Sequence, residues 1–234
     1  MTSGLPSPTS LDAVLLDAGG VLVDPEWNRV AEILAPFGVT VAPEALVAAE
    51  PAAKRRLDRR ESIEVTDDAQ RAILYYDLVL TGAGCRTAVP PEAWLAVRAE
   101  HKRRNFWRRV LPGVPEALQR LRAAGLRLAV VSNANGTVVE LMTDVGLAPF
   151  FDTILDSFVE GVEKPDPEIF RRALTRVRCA PERALHVGDL YHVDVAGARA
   201  AGVAPALIDA GGLYTDADCP RFTSLDELVS SLLA

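Results

Sequence analysis

Four short apolar runs, each bounded by Gly, Asp or Asn, punctuate the chain: Ala13–Leu16, Leu128–Val131, Ala184–Val187 and Pro205–Ile208. Runs of this length that do not alternate with polar residues predict strands covered on both faces, as in a parallel sheet. Thr153–Leu155 is a shorter fifth candidate. Apolar positions recur at helical spacing over Val114–Ala124, Thr137–Val145, Pro167–Val177 and Val195–Ala201, and Leu225–Leu233 ends the pattern. Strand and helix therefore alternate from about Pro112 onward, which predicts a doubly wound α/β fold.

Residues 25–107 break that alternation, offering only helical periodicities at Trp27–Phe37, Pro43–Arg60, Asp67–Leu80 and Pro91–Phe106. A strand precedes this stretch and the rest of the sheet follows it. It is expected to be a helical domain inserted after the first strand, with residues 11–24 and 108–234 forming the sheet-bearing core.

Composition narrows the classes of partner. A chain of 234 residues with 49% hydrophobic and 24% charged residues can bury a core without metals or disulfides. Its net charge of −7 and pI near 5.1 argue against a nucleic-acid surface, which needs clustered positive charge. The basic clusters at Lys54, Arg55, Arg56, Arg59 and Arg60, and at Lys102, Arg103, Arg104, Arg108 and Arg109, read as solvated helix faces. Cys85, Cys179 and Cys219 lack the spacing of a zinc site or disulfide framework, which fits a reducing compartment. Residues 1–10 lack the features of a signal peptide, and no apolar stretch reaches the roughly 18 residues of a membrane span. A cytoplasmic protein with a loose N-terminal tail and a small-molecule partner is expected.

In an open parallel sheet, ligands bind beyond the carboxyl ends of the strands. Ala13–Leu16 is followed by Asp17-Ala18-Gly19-Gly20, Leu128–Val131 by Ser132-Asn133, and Ala184–Val187 by Gly188-Asp189 with Asp194 beyond; Lys164-Pro165-Asp166-Pro167 comes after Thr153–Leu155. Asp17 and Asp189 side by side would repel unless a hard cation such as Mg²⁺ sat between them, and Asp194 would enlarge the acidic cluster. Ser132 and the Asn133 amide can donate to an anionic oxygen. Lys164 precedes a helix start signalled by Asp166 as N-cap and Pro167 at the first helical position. His186 reads as a core residue, His192 as a loop residue, and Trp27, Tyr75 and Tyr76 as packing within the helical insertion.

These four segments resemble the four motifs of the haloacid dehalogenase superfamily: Asp17–Val21 the nucleophile motif, Ser132 the Ser/Thr motif, Lys164-Pro165-Asp166 the lysine motif, and Gly188-Asp189 with Asp194 the acidic motif. The similarity extends from Ala13 to about Ile208, and the insertion resembles the helical cap that follows the first motif in one subfamily. The resemblance implies a Rossmann-like core and a Mg²⁺-dependent hydrolase acting on a small phosphorylated or otherwise anionic substrate. Asp17 would be the nucleophile, forming an aspartyl-phosphate. Asp17, the Gly19 carbonyl and Asp189 would hold the metal, with Asp194 among or supporting its ligands. Ser132, Asn133 and Lys164 would bind the transferring group.

Phosphatases of that superfamily carry a second Asp two residues after the nucleophile as general acid and base, and here that position is Gly19. General acid–base catalysis is worth about 10²–10⁴ in rate, so its loss implies weak or unusual activity. The alternatives are a phosphate-binding or interaction protein that has lost turnover, a phosphonatase-like enzyme using a cap lysine (Lys54 or Lys102), or a dehalogenase-like hydrolase. Gly188-Asp189 speaks for a metal and against dehalogenation.

Overall fold

The computed structural model describes residues 4–58, 68–85 and 89–234, with side chains in the middle stretch described from residue 74 onward. It divides into two compact units, one of Met1–Val23 with Val110–Ala234, the other of Asp24–Arg109.

The first unit is built on a six-stranded sheet. Its strands are β1 (Ala13–Leu16), β4 (Arg127–Ser132), β5 (Thr153–Asp156), β6 (Ala184–Gly188), β7 (Ala204–Ile208) and β8 (Arg221–Phe222), in the order β5-β4-β1-β6-β7-β8. Every pairing is parallel, with Leu15 beside Ala129 on one flank and His186 on the other. All four residues of β1 are fully buried, as an unalternating apolar run requires of a central strand. Two short strands outside this sheet, β2 (Val23–Asp24) and β3 (Arg109–Val110), form a ribbon where the chain leaves the unit and returns.

Helices cover the sheet, and Pro167–Val177 does most to position the site. Its apolar residues Ile169, Phe170, Ala173, Leu174 and Val177 fall on one stripe and pack with Leu15, Ala129 and Val131. Asp166 caps it by accepting from the Glu168 N–H at 2.9 Å, and Pro167 opens it. Arg178 ends it in the left-handed region, φ 51°. Truncating Phe170, which is fully buried, would cost about 3–5 kcal/mol.

Three sequence expectations are modified. The helix beginning at Val195 is preceded by a five-residue π-helical turn, Tyr191–Val195, and its regular part is Ala196–Ala200. A short helix, Ser157–Glu160, follows β5 directly. The two-residue strands leave no mark in the sequence, because so short a run carries no measurable periodicity.

The second unit is helical: Trp27–Leu34, Pro43–Leu57, Asp68–Gly82 and Pro91–Arg103. Arg59, Arg60 and Asp67, assigned to helices from the sequence, lie outside the described residues. Trp27, Leu46, Val79, Leu80 and Phe106 form its core, with an aromatic chain from Trp94 through Tyr76 and Tyr75 to Trp107. Two carboxylates are buried among its described residues, Glu50 and Asp58. Glu50, 4% exposed, accepts from Trp27 Nε1 at 3.1 Å and Tyr75 OH at 2.6 Å, and pairs with Lys54 Nζ at 3.1 Å. Lys54 is thus drawn inward, its ammonium also lying 5.6 Å from the Trp107 ring centre, and is no part of a solvated helix face. Burial would raise the Glu50 pKa, but Lys54, Tyr75 and Trp27 together bring it below its ordinary value.

Candidate active site

Three strand ends and one loop converge at the carboxyl edge of the sheet. Asp17 is the first residue after β1, its own N–H bonded to the Val187 carbonyl at 2.9 Å. The chain then turns back sharply: the Leu22 and Val23 N–H groups donate to the Ala18 carbonyl at 2.9 and 3.0 Å, and Gly20 takes φ +72°, which only glycine adopts without strain. Gly19 is not in that left-handed region.

Lys164 is the centre of the arrangement. Wholly buried, its ammonium lies 2.9 Å from Asp17 Oδ1 and 2.8 Å from Asp194 Oδ1. A buried lysine is tolerated only with such partners. Its main chain is clamped by one side chain, since the Lys164 N–H donates to Asn133 Oδ1 at 2.8 Å and the Lys164 carbonyl accepts from Asn133 Nδ2 at 2.9 Å. The Asn133 amide, expected at a ligand, therefore spends its oxygen and one N–H on Lys164 and keeps one N–H in reserve. Ser132 ends β4 and is 5% exposed.

Asp194 reaches this centre from the π turn. Besides Lys164, its Oδ1 faces His186 Nε2 at 3.0 Å, and its Oδ2 accepts from the Asp189 and Leu190 N–H groups at 3.2 and 3.0 Å. A carboxylate offers about four acceptor positions, and all are taken in this arrangement. Direct coordination of a metal by Asp194 would displace one of those donors. Gly188 is required beneath it, because a Cβ there would overlap the Asp194 carboxylate. At Gly197 a Cβ would come within 2.7 Å of Phe170 and 3.0 Å of the Pro165 main chain, so the helix that follows the π turn lies close on the Lys164-Pro165 peptide.

The charges are strongly coupled. Burial raises the Asp17 pKa, Lys164 opposes that, and the neighbouring Asp194 adds to it, leaving the group above its ordinary value. Burial acts on Asp194 in the same sense, but Lys164 and His186 overcome it and keep the group well below its ordinary value. For Lys164, burial disfavours the charge and the two carboxylates outweigh it, lifting the pKa.

Asp17, Asp189 and Asp194 each bring a carboxylate oxygen within 4.8 Å of the others. Three carboxylates against a single ammonium leave an excess of negative charge, and the donors are all oxygen. That chemistry fits a hard divalent cation such as Mg²⁺.

Two contributors were not singled out from the sequence. Asp156, at the end of β5 and 3% exposed, accepts from the Gly136, Val138 and Phe158 N–H groups at 2.9, 3.2 and 3.0 Å, and so fixes the loop that follows Ser132. It immediately follows the predicted strand Thr153–Leu155, and the same inspection of strand ends that found Asp17 finds it. His186 offered less signal, because one histidine in an apolar strand looks like core.

The family model for haloacid dehalogenase-like hydrolases matches residues 11–202. A haloacid dehalogenase-like hydrolase domain-containing protein 3 from Mus musculus is 43% identical over 103 residues, 44% of this chain and 41% of that one. A glyceraldehyde 3-phosphate phosphatase from Methanothermobacter thermautotrophicus is 34% identical over 124 residues, 52% of this chain and 54% of that one. The matched region thus spans about two fifths to one half of the length of these relatives. Among solved structures, the magnesium-bound HAD-hydrolase YfnB of Bacillus subtilis superposes with a TM-score of 0.71 over 96% of this chain and 99% of that one, at 18% identity, a likeness of fold. With a model match that takes in Asp17, Ser132, Lys164, Asp189 and Asp194 alike, the chain belongs to the haloacid dehalogenase-like hydrolases.

Proposed function

We propose that the protein is a cytoplasmic, Mg²⁺-dependent phosphatase-type hydrolase acting on a small phosphorylated metabolite, with Asp17 as nucleophile. The observation that carries the reading is the buried Lys164 ammonium at 2.9 Å from Asp17 and 2.8 Å from Asp194, in a cluster that also includes Asp189. A lone lysine–aspartate pair would be structural; a second and third carboxylate in the same cluster call for a cation. The relative named a glyceraldehyde 3-phosphate phosphatase supports the substrate class.

Asp17 and Asp189, with the Gly19 carbonyl, would hold Mg²⁺, and Asp194 would support them through Lys164 and the Asp189 and Leu190 N–H groups. The ion would supply electrostatic stabilisation of the phosphoryl oxygens. An Asp17 carboxylate oxygen attacks phosphorus, the P–O bond to the leaving group breaks, and its electron pair departs with the leaving oxygen. Lys164 offsets the charge of the transferring group, and the Ser132 hydroxyl donates to one of its oxygens. Water then cleaves the acyl-phosphate, returning the Asp17 carboxylate and releasing phosphate. Gly19 has no side chain to protonate the leaving oxygen or to deprotonate the water. Good leaving groups, such as aryl or acyl phosphates, are therefore favoured.

Turnover of an aryl phosphate by the purified protein, with Mg²⁺ and with a chelator, tests the reading. Activity should require the metal and vanish in Asp17→Asn. Equal turnover in wild type and Asp17→Asn would overturn it. A second reading, a phosphate-binding protein without turnover, draws on Gly19; metal-dependent phosphate binding with no hydrolysis of any aryl or acyl phosphate would favour it.

A further inference from the structure

His186 lies inside the sheet and is absent from the roles assigned above. It is fully buried on β6, directly beside Leu15 of β1, two residues before the nucleophile. Its ring stands edge-on to Phe170, centroids 4.9 Å apart at 86°, so the helix that follows the Lys164 loop fixes its tilt. Nε2 is 3.0 Å from Asp194 Oδ1, the oxygen that also receives Lys164 Nζ at 2.8 Å. Nδ1 is buried and has no hydrogen-bond partner among the described residues.

Those contacts fix the tautomer. An ionised carboxylate can only accept, so the Nε2 proton points at Asp194, and a proton on Nδ1 would have nothing to receive it. A polar ring whose second nitrogen is orphaned in a core is disfavoured against an apolar residue of similar size. That expense indicates that the Nε2 contact matters.

We propose that His186 is a positioning residue: by donating to Asp194 Oδ1 it sets the carboxylate's rotation, and through it places the Lys164 ammonium beside Asp17. Remove the donor, and Oδ1 is held only by the ammonium it is meant to orient, while the main-chain N–H groups still hold Oδ2. The carboxylate can then swing about its Oδ2 contacts and the ammonium follows. The consequence for turnover rests on the phosphatase reading; the consequence for the ammonium does not.

Gln and Asn substitutions separate the donor from the packing. Both put a polar amide in the same core position, but only the Gln amide extends to where Nε2 lies. The chain has three lysines, Lys54, Lys102 and Lys164, so the Lys164 ammonium can be assigned by NMR and its hydrogen exchange followed without substrate. In His186→Asn that exchange should accelerate at least tenfold, and kcat on an aryl phosphate should fall about 10–100-fold, the usual effect of losing an outer partner. KM should change less than about threefold. His186→Gln should return exchange and kcat to within about threefold of wild type. Wild-type exchange in His186→Asn, or equal impairment in both variants, overturns the proposal. If the wild type hydrolyses nothing, the phosphatase reading fails and the ammonium exchange still decides His186. Should Asn prevent folding while Gln folds with fast ammonium exchange, the contact is not a positioning one and the proposal fails.

Discussion

In the proposed mechanism Gly19 limits how far the chemistry can run, and its backbone permits a direct test. Because its φ lies outside the left-handed region, the backbone there does not by itself demand glycine. In the wild type an aryl phosphate should load Asp17 rapidly and release phosphate slowly, giving a burst. Gly19→Asp should shrink the burst and raise steady-state turnover by up to about 10²–10⁴. Rapid-quench measurement of both phases checks this; an unchanged burst with normal Mg²⁺ binding would show that another group serves as acid and base. The residues most legible in the sequence were those whose polarity contradicts their setting, such as Asp17 and Asp189 at the ends of apolar strands and Lys164 in an arginine-rich chain. Asn133 was legible as polar but not as the clamp on Lys164, because that contact joins residues brought together only by the fold. His186 was hidden for the same reason.

Secondary-structure elements show a similar division. Long periodic segments such as Pro167–Val177 were readable to the residue, whereas the π turn at Tyr191–Val195 was not, since one extra residue in a turn leaves hydrophobic periodicity almost intact. That extra residue matters for register. The Ala196 N–H bonds to the Tyr191 carbonyl, five residues back, and Asp194 sits within the widened turn. Deleting His192 should restore α-helical spacing and rotate Asp194 by about 100°. The protein should remain folded by circular dichroism while losing turnover. In the helical unit, Glu50 ties Trp27–Leu34, Pro43–Leu57 and Asp68–Gly82 together. All three tryptophans, Trp27, Trp94 and Trp107, belong to this unit, so their fluorescence reports its unfolding. Glu50→Ala should destabilise it by about 3–5 kcal/mol in urea. The Glu50 pKa is lower folded than unfolded, so its contribution is complete above its ordinary value of 4.5 and is lost as pH falls through the depressed folded value. The wild-type tryptophan transition should therefore weaken in acid, and Glu50→Gln should remove that part of the slope.

At the scale of the molecule, the acidic cluster sets function against stability. Carboxylates gathered in a buried place repel one another until a cation joins them. Asp189→Asn should therefore leave the metal-free protein as stable as wild type or more so by calorimetry. Mg²⁺ at a hundred times its dissociation constant should stabilise the wild type by about 2.7 kcal/mol and the variant by nothing. A full Mg²⁺ effect in Asp189→Asn would remove that residue from the metal site. The strand order carries a different consequence, one for the route by which the sheet is assembled. Ala13–Leu16, the middle of the sheet, pairs with Arg127–Val130 on one side and Ala184–Val187 on the other. As the chain emerges from the ribosome, this sticky apolar strand waits without a partner through the whole synthesis of the helical unit, which can fold meanwhile on local contacts. The strand that leads into Asp17 is thus made before its partners and paired late, and until β4 and β6 arrive it needs shelter from other chains.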